Sequence, residues 1–134
     1  MKNYLFISII VVLCACSATV SHHDANIHFN QNEYDFGSLQ YKKEAEHSFR
    51  FINPGETPLV IYDVKTSCGC TVPEWTKQPI KPGKTGEIKI KYDAAFPGVF
   101  HKEISVYYNG QDSPVKLSIR GKVQYPDDLE GAVE

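Results

Sequence analysis

The chain has 134 residues, with 14 lysine and arginine against 16 aspartate and glutamate residues and a formal net charge of −2. That length is enough for one domain of ordinary size. Its charge is balanced and unclustered, which argues against a nucleic-acid partner, because phosphate binding needs grouped lysine and arginine.

At the N-terminus Lys2 precedes the apolar run YLFISIIVVLCA, which is shorter than the roughly 20 residues that cross a bilayer. Residues 1–15 read as a signal peptide. The run ends in LCAC, where small residues precede Cys16 as they do in a bacterial lipobox, whose cysteine is acylated and becomes the first mature residue. Cys16 is the expected lipid-attachment site, carrying palmitate-type acyl chains. Cys14 stands where such motifs usually have alanine or serine. An ordinary secretory signal or an uncleaved anchor are the other readings, and neither requires a cysteine at that position. The expected location is the bacterial cell envelope, lipid-anchored at the outer membrane or periplasmic face.

Cleavage before Cys16 leaves 119 of the 134 residues and removes Lys2, so 13 basic face 16 acidic residues and the net charge is −3. Residues 16–26, including SATVSHHDAN, are polar and without periodicity, as in a tether. Residues 27–124 are the expected folded domain, and residues 125–134 an acidic tail.

Within the domain, polar and apolar residues alternate in short runs separated by proline, glycine and asparagine, which is a strand pattern. IHF and YDFGSL come first. HSFRFIN follows, with Phe49 and Phe51 on one face. LVIYDV is nearly continuous and apolar, as expected of a strand buried centrally. In GEIKIKY, Ile88, Ile90 and Tyr92 share one face while Glu87, Lys89 and Lys91 share the other, the mark of a strand with one wet side. EISVYY and VKLSIRGKV add inward faces of Ile104, Val106 and Tyr108, and of Val115, Leu117 and Ile119. Tyr107 and Tyr108 must then point to opposite faces. The connections NPGETP, KPGKTG, AAFPG and YNGQDSP suit tight turns. About seven short strands with no helical period predict an all-β fold, an immunoglobulin-like antiparallel β-sandwich. No inter-sheet disulfide is available, because Cys68 and Cys70 lie together and Trp75 follows them.

SCGCT after an apolar strand, then IKPGKTGEIKIKYDA, GVFHKEISVYYN and a closing LSIRGKV, resembles the bacterial family called domain of unknown function 1573. The likeness covers about residues 34–123. It implies an Ig-like sandwich related in style to the ASPM, SPD-2 and hydin domains, often found on bacterial lipoproteins. It implies no activity or ligand.

The histidines His22, His23, His28, His47 and His101 are scattered, with no HExxH or GxSxG around them, so no catalytic residue is assigned and no enzyme is expected. No cofactor is expected. A weak transition-metal site at His22 and His23 is conceivable, but a solvated linker explains the pair. Trp75, in what reads as the loop VPEWTKQP, is either a binding aromatic for a sugar or peptide or a cover for the core. Cys68 and Cys70 are a candidate redox or soft-metal pair. In a flat strand such i and i+2 residues have Cα atoms close to 7 Å apart, at or beyond the usual disulfide limit of about 6.8 Å, so a bond requires Gly69 to bulge or take a positive φ. A labile pair, a reactive dithiol and two inert packed thiols all remain open.

Two roles survive. One is a monomeric, non-catalytic binding or structural module, membrane-bound through its lipid, with an envelope protein or glycan partner. The other is a thiol-redox or metal-handling accessory using Cys68 and Cys70.

Overall fold

The computed structural model describes residues 24–127. The expected signal peptide, Cys16, His22, His23 and the last part of the tail lie outside the described residues. Among the described residues the eight regular elements are all strands: β1 (His28–Phe29), β2 (Glu33–Leu39), β3 (Ala45–Ile52), β4 (Ile61–Thr66), β5 (Thr71–Trp75), β6 (Thr85–Tyr92), β7 (Gly98–Tyr108) and β8 (Val115–Val123). They form two four-stranded sheets, ordered β1-β3-β6-β5 and β2-β8-β7-β4.

The core is the set of inward faces read from the alternation. Phe49, Phe51, Ile88, Ile90, Tyr92, Ile104, Val106, Tyr108, Leu117 and Ile119 are buried, and Val115 packs partly against them. Tyr107 faces the other way, half-buried on the outer surface with Lys65 Nζ 5.2 Å from its ring centroid. Removing this apolar surface from water is the main driving force for bringing the two sheets together.

Four features depart from the expectation. The sandwich has one parallel pair, β2 with β8, so it is mixed rather than wholly antiparallel. LVIYDV is not a central strand: β4 is the edge of its sheet, and Tyr62 is 65% exposed. A register shift between Ile61 and Asp63 lets Ile61 and Val64 both face inward with Tyr62 outside, so a continuous apolar run sits at an edge. VPEW is not a loop, because β5 pairs with β6 from Thr71 to Trp75. Pro73 has no N–H to give, and it is tolerated because β5 is also an edge strand. Lastly, β7 starts five residues before EISVYY, at Gly98.

Lys81–Lys84 is a turn closed by the Lys84 N–H to the Lys81 carbonyl at 3.0 Å, with Pro82 second and Gly83 third at φ +75°. That is the proline-then-glycine arrangement of a type II turn.

Asn53 and Asn109 both anchor the connection between β3 and β4. The Asn53 side chain, fully buried, donates to the carbonyls of Thr57 (2.8 Å) and Ile80 (2.9 Å) and accepts from the Gly55 N–H (2.9 Å). Asn109 donates to the Pro58 carbonyl (2.9 Å) and accepts from the Val60 N–H (2.8 Å). Between them Leu59 is buried and exchanges two backbone hydrogen bonds with Ile80.

Strand directions define two ends. The chain enters beside the turns at residues 53–58 and 109–114, where Ala25 is buried. The opposite, far end carries the β2–β3 turn, the β6–β7 loop and the residues after β8.

Candidate functional site at the far end of the sandwich

The SCGCT turn crosses from one sheet to the other, from β4 to β5, and both of its ends are fastened. On one side the Ser67 N–H donates to the Glu103 carbonyl (3.0 Å), and the Glu103 N–H donates to Ser67 Oγ (3.2 Å). On the other side the Asp93 N–H donates to the Cys70 carbonyl (3.1 Å). Inside the turn the Thr66 hydroxyl lies 2.9 Å from the Cys68 carbonyl and 3.0 Å from that of Thr71.

Cys68 and Cys70 are joined in a disulfide with a Cα–Cα separation of 5.4 Å. The separation expected of a flat strand does not apply, because residues 67–70 belong to no strand. Gly69 is not what relaxes it through a positive φ: the described glycines with positive φ are Gly37, Gly83 and Gly98. The turn itself brings the two Cα atoms together. So small a ring limits the unfolded chain little, about 1.6 kcal/mol by chain entropy against about 3 kcal/mol for a 15-residue loop.

Both cysteines are half-buried, and Cys70 packs against the core. Thr71, next in sequence, is only 3% exposed, and its Oγ1 lies 3.6 Å from Cys68 Sγ. Among the described residues no group of three or more His, Cys, Asp or Glu side chains is placed to hold a metal ion. In the disulfide the two sulfurs are bonded to each other, so neither is a thiolate ligand.

The same end carries most of the large apolar side chains that the fold leaves in water. Val72, Phe96, Val99 and Tyr125 range from 53% to 84% exposed. The β6–β7 loop explains how Phe96 comes to project. Ala94, at φ 50°, is fully buried, and its carbonyl accepts from the Lys42 N–H (2.9 Å), while the Asp93 carboxylate accepts from the Ala95 N–H (3.0 Å). One anchored alanine thus leaves the next residues outside. Gly98 pairs with Val123, which brings the Val99 segment beside Tyr125. Sequence reasoning took AAFPG only as a turn; the available signal was a phenylalanine within it that has no inward position to fill.

The broad outer faces differ in character. On one, Arg120 pairs with Glu33 (2.9 Å) and Asp35 (3.1 Å), and Lys116 with Glu103. On the other, Lys91 lies between Glu74 (3.3 Å) and Glu46 (3.7 Å), and the Glu74 hydrogen bond is the largest cause of its raised pKa. Such exposed pairs add little stability. They leave both faces mainly polar, with Val72 opposite Lys91 on one and Val99 opposite Lys122 on the other.

Trp75 is at the end of β5, opposite Ile88, and its ring packs partly against the core. Lys77 Nζ lies 3.0 Å from the ring centroid, and Nε1 is buried without a partner among the described residues. His47 is in the seam between β2 and β3, stacked on Tyr34 at 3.6 Å and 7°, edge-on to Phe49, and accepts from the Gln31 amide (2.8 Å). Burial lowers its pKa, which favours the neutral ring. His101 stands on the outer face opposite Arg120, and His28 is exposed in β1. The histidines are not gathered with the cysteines.

Among solved structures, a protein of unknown function from Porphyromonas gingivalis W83 is similar at a TM-score of 0.66 and 19% identity. The match covers 73% of this chain and 46% of that one, so this chain spans about half the length of that protein. The ASH/PapD-like domain 7 of human CEP192 is similar at a TM-score of 0.66 and 7% identity, over 78% of this chain and 89% of that chain. The VesB protease of Vibrio cholerae gives a TM-score of 0.55 at 10% identity, over 75% of this chain and 32% of that one. At these identities the likeness is one of fold, an Ig/PapD-like β-sandwich. No curated protein matches the sequence. Residues 27–123 match the family model described as protein of unknown function (DUF1573), and the chain belongs to that family.

Proposed function

We propose that the protein is a lipid-anchored, non-catalytic module of the bacterial cell envelope that docks a partner through the far end of its sandwich. The observation that carries this reading is the exposure of Phe96, Val99 and Tyr125, which lie around Gly98 at that end, while the broad faces carry mainly charged and polar side chains. Grouped exposed aromatic and aliphatic side chains mark interaction sites on soluble domains. A protein partner of the envelope suits an aliphatic valine better than a glycan does. The domain acts as a monomer in this role.

The anchor gives the arrangement a direction. An acyl group on Cys16, eight positions before Asp24, tethers the end where Ala25 enters the fold, so the apolar end faces away from the membrane that holds it. Replacing Cys16 by serine is expected to move the protein from the membrane to the soluble fraction when cells are fractionated. Membrane association equal to that of the native chain contradicts the lipid anchor and favours an uncleaved apolar segment.

A further inference from the structure

We propose that the Cys68–Cys70 disulfide, together with the Thr71 hydroxyl, is a thiol–disulfide exchange site that oxidises a protein dithiol, with Cys68 as the exchanging sulfur and Cys70 as its resolving partner. This goes beyond the docking role and does not depend on it.

Three observations meet at the turn. Gly69, its exposed apex, has no atom within 4 Å of the place where a Cβ would stand, so another polypeptide can approach there. Cys70 packs against the core, which leaves Cys68 as the more approachable sulfur. The Thr71 hydroxyl, on an almost fully buried residue, has Cys68 Sγ at 3.6 Å as its hydrogen-bond partner.

A disulfide sulfur accepts hydrogen bonds weakly, whereas a thiolate accepts them strongly. The hydroxyl therefore interacts far better with the reduced site than with the oxidised one. It favours release of Cys68 as a thiolate, and thus the reduction of the protein's own disulfide.

In the first step a substrate thiolate attacks Cys68 Sγ. The Cys68–Cys70 bond breaks, Cys70 leaves as a thiolate and takes a proton from water, and a mixed disulfide joins Cys68 to the substrate. In the second step the other substrate thiol, having lost its proton to water, attacks the substrate's own sulfur in that mixed disulfide. Cys68 leaves as a thiolate facing the Thr71 hydroxyl. The substrate dithiol has lost two electrons and become a disulfide; the pair has gained them and become a dithiol.

The test uses the full chain, reduced with dithiothreitol, desalted and treated with iodoacetamide across a range of pH. Labelling of each cysteine is read by peptide fragmentation, which separates Cys68 from Cys70. Cys68 is expected to label about tenfold faster than Cys70 at neutral pH, with its half-maximal rate below the pH of about 8.5 typical of a free thiol. Thr71→Val, close in volume but without the hydroxyl, is expected to slow Cys68 roughly three- to tenfold and to shift its pH profile upward, while Thr71→Ser preserves both. Before reduction, added dithiothreitol should raise the intact mass by two hydrogens without denaturant. Labelling of the two cysteines only in denaturant overturns the proposal, and so does a Thr71→Val profile identical to that of the native chain.

Discussion

Asn53→Ala is expected to lower the unfolding free energy of the domain by about 3 kcal/mol, which for a domain near 100 residues is a fall in Tm of roughly 12–20 °C. The side chain is fully buried and uses both amide hydrogens and its oxygen, on Thr57, Ile80 and Gly55. Alanine removes all three bonds at once; the Ile80 carbonyl keeps its bond from the Leu59 N–H, the partly buried Gly55 N–H loses its acceptor, and the space of a fully buried side chain is left empty. Each lost hydrogen bond costs about 1 kcal/mol, with partial relief as the loop relaxes. Aspartate is no substitute, since it sets a second oxygen against the carbonyls of Thr57 and Ile80. Denaturant unfolding of the variant should show a lower midpoint with an unchanged slope. A loss below about 0.5 kcal/mol, the range of ordinary surface changes, contradicts this account of the β3–β4 connection.

Gly121→Ala is expected to cost about 2 kcal/mol, for a different reason. A Cβ on Gly121 would stand 2.8 Å from the Phe100 ring and 2.9 Å from the Gly37 carbonyl oxygen. The ring can shift a little within the core. The carbonyl cannot shift alone, because it belongs to the β2 segment that pairs in parallel with β8 across a register shift between Asp35 and Ser38. Gly37 is itself held at φ +66° with its N–H on the Asp35 carboxylate at 2.8 Å. The close approach of β2 to β8 therefore needs a residue without a side chain at 121. Gly69→Ala is the matched control, with open space around the new methyl group, and should change stability by less than about 0.5 kcal/mol. Equal losses at both positions would mean that backbone preference, and not the contact with Phe100 and Gly37, sets the cost.

The sandwich was legible because a strand half-buried between core and water writes its two faces into alternate residues, as β6 does from Thr85 to Tyr92. The departures arise where that rule loses its force. VPEWTKQP read as a loop, yet an edge strand needs hydrogen bonds on one side only and so tolerates Pro73, and β5 is an edge. LVIYDV looked central because nothing in its composition reveals a bulge by which Ile61 and Val64 both face inward while Tyr62 lies in solvent. The parallel pairing of β2 and β8 joins residues some 85 positions apart, and no local pattern encodes such a partner. Asn53 resembled any turn asparagine, since its role depends on Ile80, 27 residues away.

The candidate site was half legible. SCGCT stood out by its spacing, but the rule that set its cysteines about 7 Å apart presumed an extended backbone, and the chain turns there instead. Thr71 gave no sign of its closeness to Cys68 Sγ. Phe96 was hidden among turn residues, and its exposure becomes evident only once Ala94 is seen to be the buried residue of that loop.

Site-specific photo-crosslinking in intact cells tests most directly the claim that the far end is the docking surface. A benzophenone amino acid is placed at Phe96 in one variant, and at Glu87 or Lys116, on the two broad outer faces, in the others. The account predicts a discrete higher-mass adduct from position 96 after irradiation, with little or none from positions 87 and 116. No adduct at 96, or the same adducts in equal yield from all three positions, would contradict it.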